Sequence, residues 1–291
     1  MQKTLLCLGF GYTARALARR LLPRDWRVIG TSRDSLTPYD GVEMQSWPGT
    51  PLPLQEVSHV LLSISPNAEG DPVLARHQAE FLAAASNLEW VGYLSTTAVY
   101  GHRDGAWVDE NTPVAPTSER GNWRVQAEEQ WQAIAELPLH IFRLAGIYGP
   151  GRGPFAKLMA GKARRIIKPG QVFSRIHVED IAQVLEASIA QPNPGAIYNL
   201  CDDDPAPPQD VLGYAAELLG LPIPSEVPFD EAGMSPMARS FYQENKRVRN
   251  HRIKEELTVT LLYPSYREGL RAVLEAEDMA SFVPPEAPPA L

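Results

Sequence analysis

The stretch TLLCLGFGYTARALARRLLP, residues 4–23, decides the fold. Leu5 to Leu8 form a short apolar run that ends in glycine, and Ala14, Leu17, Ala18, Leu21 and Leu22 then recur at helical spacing until Pro23 stops the helix. The order is strand, tight turn, helix. At that junction stands Gly9-Phe-Gly11-Tyr-Thr-Ala14. Gly9 permits the sharp turn, Gly11 lets the backbone approach a pyrophosphate, and Ala14 lets helix and strand pack closely while the helix N-terminus faces the anion. The motif by itself is a weak signal, and an ordinary glycine turn is the competing reading. Its place between a first strand and a first helix points to dinucleotide binding.

Working outward, RVIGT (27–31), HVLLS (59–63) and WVGYLS (90–95) read as further strands, with a helical stretch near 76–85 before the last of them. LHIFRL (139–144) follows a helix expected over 120–136, and AIYNL (196–200) adds another strand. Strands alternating with helices make right-handed βαβ units and a parallel sheet. From Asp202 the pattern breaks into DDDPAPPQD and then helices at 210–220 and 266–277, with little strand signal between them; 149–175 also leaves the alternating rhythm. The expectation is an α/β protein, a Rossmann-type doubly wound parallel sheet with a smaller, mostly helical C-terminal lobe. Residues 1–148 plus 176–201 would form the dinucleotide-binding domain, 149–175 plus 202–280 a substrate lobe, and 281–291 a loose Pro-rich tail.

The 291 residues suit one large α/β domain or two smaller ones. With 44% hydrophobic and 21% charged residues the chain is neither disordered nor fibrous. A net charge of −8 lacks the positive excess that a duplex-binding surface needs, which speaks against nucleic acid as a partner. Cys7 and Cys201 are too few and too far apart for a disulfide scaffold and read as reduced. No apolar stretch approaches the roughly 18–20 residues of a membrane-spanning helix. The apolar run at 5–8 is short for a signal peptide, and Leu6 is bulky beside a lipidated cysteine, so the chain reads as cytoplasmic.

Which dinucleotide binds is decided at the end of the second strand, where an acidic residue suits the free ribose hydroxyl of NAD. Here the residues are Thr31-Ser32-Arg33. Two small hydroxyls and a guanidinium suit a 2′-phosphate, since Arg bonds phosphate oxygens with charge assistance. NADP is therefore expected and NAD is possible, with Asp34 as the ribose acid and Arg33 a solvated charge in the alternative. Gly11, Arg33, Ser63 and Thr96 all fall at carboxyl ends of strands, where such sheets bind ligands.

Beyond the glycine turn, LSTTAVYG (94–101), DENTPVAP (109–116), FRLAGIYGPGR (142–152), IHVEDIA (176–182) and YPSYREGL (263–270) resemble, in order, the extended or atypical short-chain dehydrogenase/reductases, the epimerase/dehydratase type. The resemblance implies a Ser or Thr that orients the substrate oxygen, a Tyr acid/base, and a Lys four residues later that holds the nicotinamide ribose. Thr96 takes the first place, but Arg120 stands at the Tyr position and Arg124 at the Lys position. Arginine does not release its proton near neutral pH, and general acid–base help is worth typically 10²–10⁴-fold in rate. Candidate replacements are Tyr12, Tyr100, His102 and Tyr148.

Arg120 and Arg124, one helical turn apart, could form an anion clamp; alternatively Arg124 and Glu128 make a solvated helix pair. The basic stretches 162–168 and 246–254 read as solvated surface or as a receiver of a phosphorylated substrate. The histidines show no metal-ligand spacing, and His177 reads as fixing the loop beside the helix that begins near Val178. What the resemblance implies is NADP(H)-dependent oxidoreductase or epimerase chemistry on a small carbonyl or sugar-like substrate. The alternative is a non-catalytic dinucleotide sensor.

Overall fold

The computed structural model describes residues 2–33 and 37–277. The strands run β1 (Thr4–Leu8), β2 (Arg27–Ser32), β3 (Val42–Ser46), β4 (His59–Leu62), β5 (Trp90–Thr96), β6 (Trp107–Val108), β7 (Leu139–Leu144), β8 (Gly146–Tyr148), β9 (Arg165–Ile167), β10 (Arg175–His177), β11 (Ile197–Leu200), β12 (Glu226–Pro228) and β13 (Arg247–Val248). The helices are α1 (Tyr12–Leu21), α2 (Leu74–Ala84), α3 (Glu119–Gln132), α4 (Phe155–Met159), α5 (Val178–Ala190), α6 (Pro208–Leu218), α7 (Pro236–Phe241), α8 (His251–Glu256) and α9 (Tyr266–Ala276).

Seven of the strands form one parallel sheet in the order β11-β7-β5-β4-β1-β2-β3. The chain winds outward from β1 through β2 to β3, then returns to the other side of β1 as β4. That reversal opens a crevice at the carboxyl ends of β1 and β4, where ligands bind in sheets of this kind. Alternation along β1 explains why the sheet is covered on both faces. Leu5 and Cys7 join one apolar core with Ala14, Leu17 and Leu21 of α1 and Ile181, Val184 and Leu185 of α5. Leu6 and Leu8 join the other, with Phe81 of α2 and Ala127 and Trp131 of α3.

A third apolar cluster joins Tyr148, Phe155, Leu158, Ala206, Val211, Ala215, Tyr266 and Leu270, so the pieces before α5 and after β11 pack on one another although distant in sequence. β12 pairs with β9, and β13 pairs with β6. These short strands, and β3, were not expected from the sequence. β3 carries no buried residue, and two- or three-residue strands give no period to read. The proposed tail 281–291, and Asp34, lie outside the described residues. Among the described residues no helix is long and apolar enough to cross a membrane, and no group of side chains could hold a metal ion.

Candidate active site

The glycine turn is tied down from within. Gly9 adopts φ +91°, a conformation that side chains strain, and a Cβ there would meet Ile64 at 3.0 Å. The Gly9 amide donates to the Thr31 hydroxyl at 2.9 Å, and that hydroxyl donates to the Cys7 carbonyl. Thr31 is thus committed to the turn, while Ser32 is half-buried and Arg33 exposed at the end of β2. Gly11 differs. It caps α1 in an extended conformation, φ −94°, and a Cβ there would meet nothing within 4 Å. Neither backbone nor packing requires glycine at that position, so the open space suits close approach of a pyrophosphate to the helix N-terminus, whose first turn carries no acidic side chain. Ala14 is fully buried against the sheet.

Beside this turn lies a cleft of about 1500 Å³ lined by Tyr12, Ser63, Thr96, Arg120 and Arg124 among others. Gly9, Gly11, Ala14, Ser32 and Arg33 are not among its lining residues; Tyr12 and Thr13, which follow Gly11, join the turn to it. Thr96 ends β5, and its Oγ1 accepts the Ala98 amide at 3.2 Å, capping the turn 97–100. Its O–H remains available to a substrate oxygen. Ser118 caps α3, accepting the Gly121 amide at 3.2 Å. Gly121 packs against the same turn, since a Cβ there would meet the Ala98 carbonyl at 3.0 Å. This contact brings Arg120 and Arg124 to the cleft.

The Arg124 guanidinium donates to the Tyr93 hydroxyl at 3.0 Å, the Leu94 carbonyl at 2.7 Å and Ser65 Oγ at 2.9 Å. It does not pair with Glu128, so the solvated helix pair is overturned: Glu128 is 3% exposed and turns inward to Arg143. A buried carboxylate needs a charged partner at short range, and β7 supplies one.

The four alternative proton donors are all engaged. Tyr100 is fully buried, its hydroxyl donating to Asn199 at 2.8 Å and accepting from Arg143 at 3.0 Å. The Tyr148 hydroxyl lies 3.4 Å from the Ser265 carbonyl, and burial raises its pKa. The Tyr12 hydroxyl donates to the Pro150 carbonyl at 2.9 Å, and burial pushes it up to about 12. His102 bonds Asp104 at 2.7 Å, accepts the Asn245 amide at 3.1 Å, and does not line the cleft. His177 caps α5 by accepting the Glu179 amide at 3.2 Å.

The cleft wall carries Arg152, Lys157, Lys162, Arg164, Arg175 and Lys246 besides the two arginines of α3, against one carboxylate, Glu244. In a chain of net charge −8 this is a strong local reversal of sign. Arg175 donates to the Phe173 carbonyl at 2.8 Å and the Ala206 carbonyl at 3.1 Å. The basic stretch 246–254 is not simply solvated: Lys246 is 9% exposed. Sequence reading missed Arg175 and Glu244, and singled out Lys246 only as part of the basic stretch 246–254. Only the fold brings the segments around 175 and 245 to Thr96.

No family model matches the chain. It is 63% identical to a functionally unknown conserved protein from Silicibacter pomeroyi DSS whose structure is solved, with a TM-score of 0.92 over 94% of this chain and 99% of that one. It is 29% identical over 245 residues to Protein YeeZ of Escherichia coli strain K12, covering 76% of this chain and 86% of YeeZ. The fold is shared with the UDP-glucuronic acid 4-epimerase of Bacillus cereus, solved in complex with UDP-glucuronic acid and NAD: 16% identity, TM-score 0.75, 95% of this chain and 99% of that one.

Proposed function

We propose a function for a chain that belongs to the same family as the functionally unknown conserved protein of Silicibacter pomeroyi: an NADP(H)-dependent oxidoreductase or epimerase of the extended or atypical short-chain dehydrogenase/reductase type. Its substrate is a small carbonyl or sugar-like molecule, and the positive cleft favours one that carries a negative group. The observation that carries the reading is the position of the cleft, which opens at the carboxyl ends of the central strands with Ser63, Thr96, Arg120 and Arg124 on its wall beside the Gly9–Gly11 turn.

Gly9, Gly11 and the α1 terminus would hold the pyrophosphate, with Ala14 keeping that helix close to the sheet. Ser32 and Arg33 would hold a 2′-phosphate, and Ser63 and Arg124 would line the path toward the nicotinamide. The bound dinucleotide supplies hydride chemistry. Thr96 would orient the substrate oxygen, and Arg120 with Arg175 would hold substrate charge. The lobe formed by 149–175 plus 202–280 would act as the substrate lobe. The working place is the cytoplasm, with no nucleic-acid or membrane partner.

The other reading is a non-catalytic sensor of the cofactor. It is favoured by Arg120, which cannot relay a proton, and by Arg124, which is already bonded to Tyr93, Leu94 and Ser65. NADPH oxidation across a panel of aldehydes, ketones and sugars separates the two. Turnover by the wild type that vanishes in Thr96→Ala supports the enzyme; tight NADPH binding with no turnover on any panel member supports the sensor.

A further inference from the structure

Lys246 is the buried amine of the cleft. It sits one residue before β13, with only 9% of its surface exposed, and it lines the same cleft as Thr96 and Arg120. Nζ donates to the Gly101 carbonyl at 3.0 Å and to Glu244 at 2.5 Å. Gly101 closes the turn 97–100 that Thr96 opens, so the two residues grip opposite ends of one short turn. Glu244 also accepts the hydroxyl of Ser118, the α3 cap, at 3.3 Å. An ammonium has three N–H bonds, and two are used here.

We infer that Lys246 is the proton donor of this site, taking the place of the tyrosine that Arg120 has replaced. The inference rests on the enzyme reading above. Tyr12, Tyr100, His102 and Tyr148 are each held by other partners. Neither arginine of α3 can release a proton. Lys246 can, and its surroundings favour release: burial lowers its pKa, Arg103 lowers it further, and Glu244 opposes both. In the reducing direction the Nζ–H bond breaks and a substrate O–H bond forms as the carbonyl carbon takes up the hydride that NADPH supplies. The neutral amine then regains its proton from solvent.

Two measurements test this. The first needs no turnover: the protein is labelled with pyridoxal 5′-phosphate, reduced with borohydride and mapped by peptide mass spectrometry over a range of pH. Lys246 is expected to label with a midpoint lowered by its burial, with Lys157 and Lys162, the exposed lysines of the same cleft, as internal references. In the second, Lys246→Arg keeps the charge and the bond to Glu244 but cannot deprotonate. NADPH affinity and thermal midpoint should be unchanged, while panel turnover falls about 100-fold, as expected for loss of a general acid. Labelling that tracks Lys157, retained turnover in Lys246→Arg, or no turnover by a wild type that binds NADPH would each overturn the assignment. If the wild type does not bind NADPH, the cofactor reading falls first and this inference falls with it.

Discussion

Glu128 grips the Arg143 guanidinium with both carboxylate oxygens, 2.7 Å from Nη2 and 3.2 Å from Nε, and neither side chain is more than 6% exposed. Ser95, the neighbour of Thr96, donates to the same carboxylate, and Arg143 Nη1 donates to the Tyr100 hydroxyl at 3.0 Å. One ion pair therefore joins α3, β5, β7 and the turn that Thr96 caps.

Breaking this pair from one side leaves a buried charge without its partner, a loss of about 3–5 kcal/mol. Glu128→Ala should lose that much in chemical denaturation. Glu128→Leu combined with Arg143→Met should recover most of it, because an apolar pair has no charge to leave stranded. A Glu128→Ala cost below about 1 kcal/mol would show the pair to be screened like a surface one.

Gly11→Val separates folding from cofactor binding. The extended φ of −94° and the open space around a Cβ predict a stability change within about 1 kcal/mol. Calorimetric titration should nevertheless find no NADPH binding, because the isopropyl group fills the approach to the helix N-terminus. Normal binding by the variant would make the turn purely structural.

Arg33 stands exposed at the end of β2. A charge-assisted contact to a 2′-phosphate predicts that NADPH binds more tightly than NADH by about 1–3 kcal/mol, and that Arg33→Ala abolishes the difference. Equal affinities for the two cofactors in the wild type would refute the preference.

The imidazole of His140 is fully buried and accepts the Asn193 amide at 2.9 Å. Burial pushes its pKa down from 6.5 to about 4. The unfolded chain therefore takes up a proton at higher pH than the folded one. The stability that this neutral imidazole contributes is full above the unfolded value near 6.5 and falls as pH drops toward 4, by on the order of 3 kcal/mol. His140→Gln should flatten the pH dependence of unfolding in that window by up to one proton. Parallel curves for wild type and variant would disprove it.

From the sequence alone the parallel sheet was readable, because each central strand is a short apolar run and each helix repeats apolar residues at its own period. The glycine turn was readable for a related reason: its strand, glycines and helix are contiguous. Local chemistry recorded in adjacent residues survives as pattern.

What the tertiary structure decided were the partners of charged side chains. Glu128 lies four residues from Arg124 on α3 yet turns to Arg143 on β7, because the sheet sets the dielectric and the distance together. Thr31, which reads as a phosphate ligand, spends its hydroxyl on Gly9 and Cys7. Lys246 belongs to a run of basic residues that reads as solvated surface or as a receiver of phosphate, and the pairing of β13 with β6 draws it into the cleft beside a turn 145 residues earlier. Burial and electrostatic partnership depend on distances between segments far apart in the chain, and no local period encodes those distances.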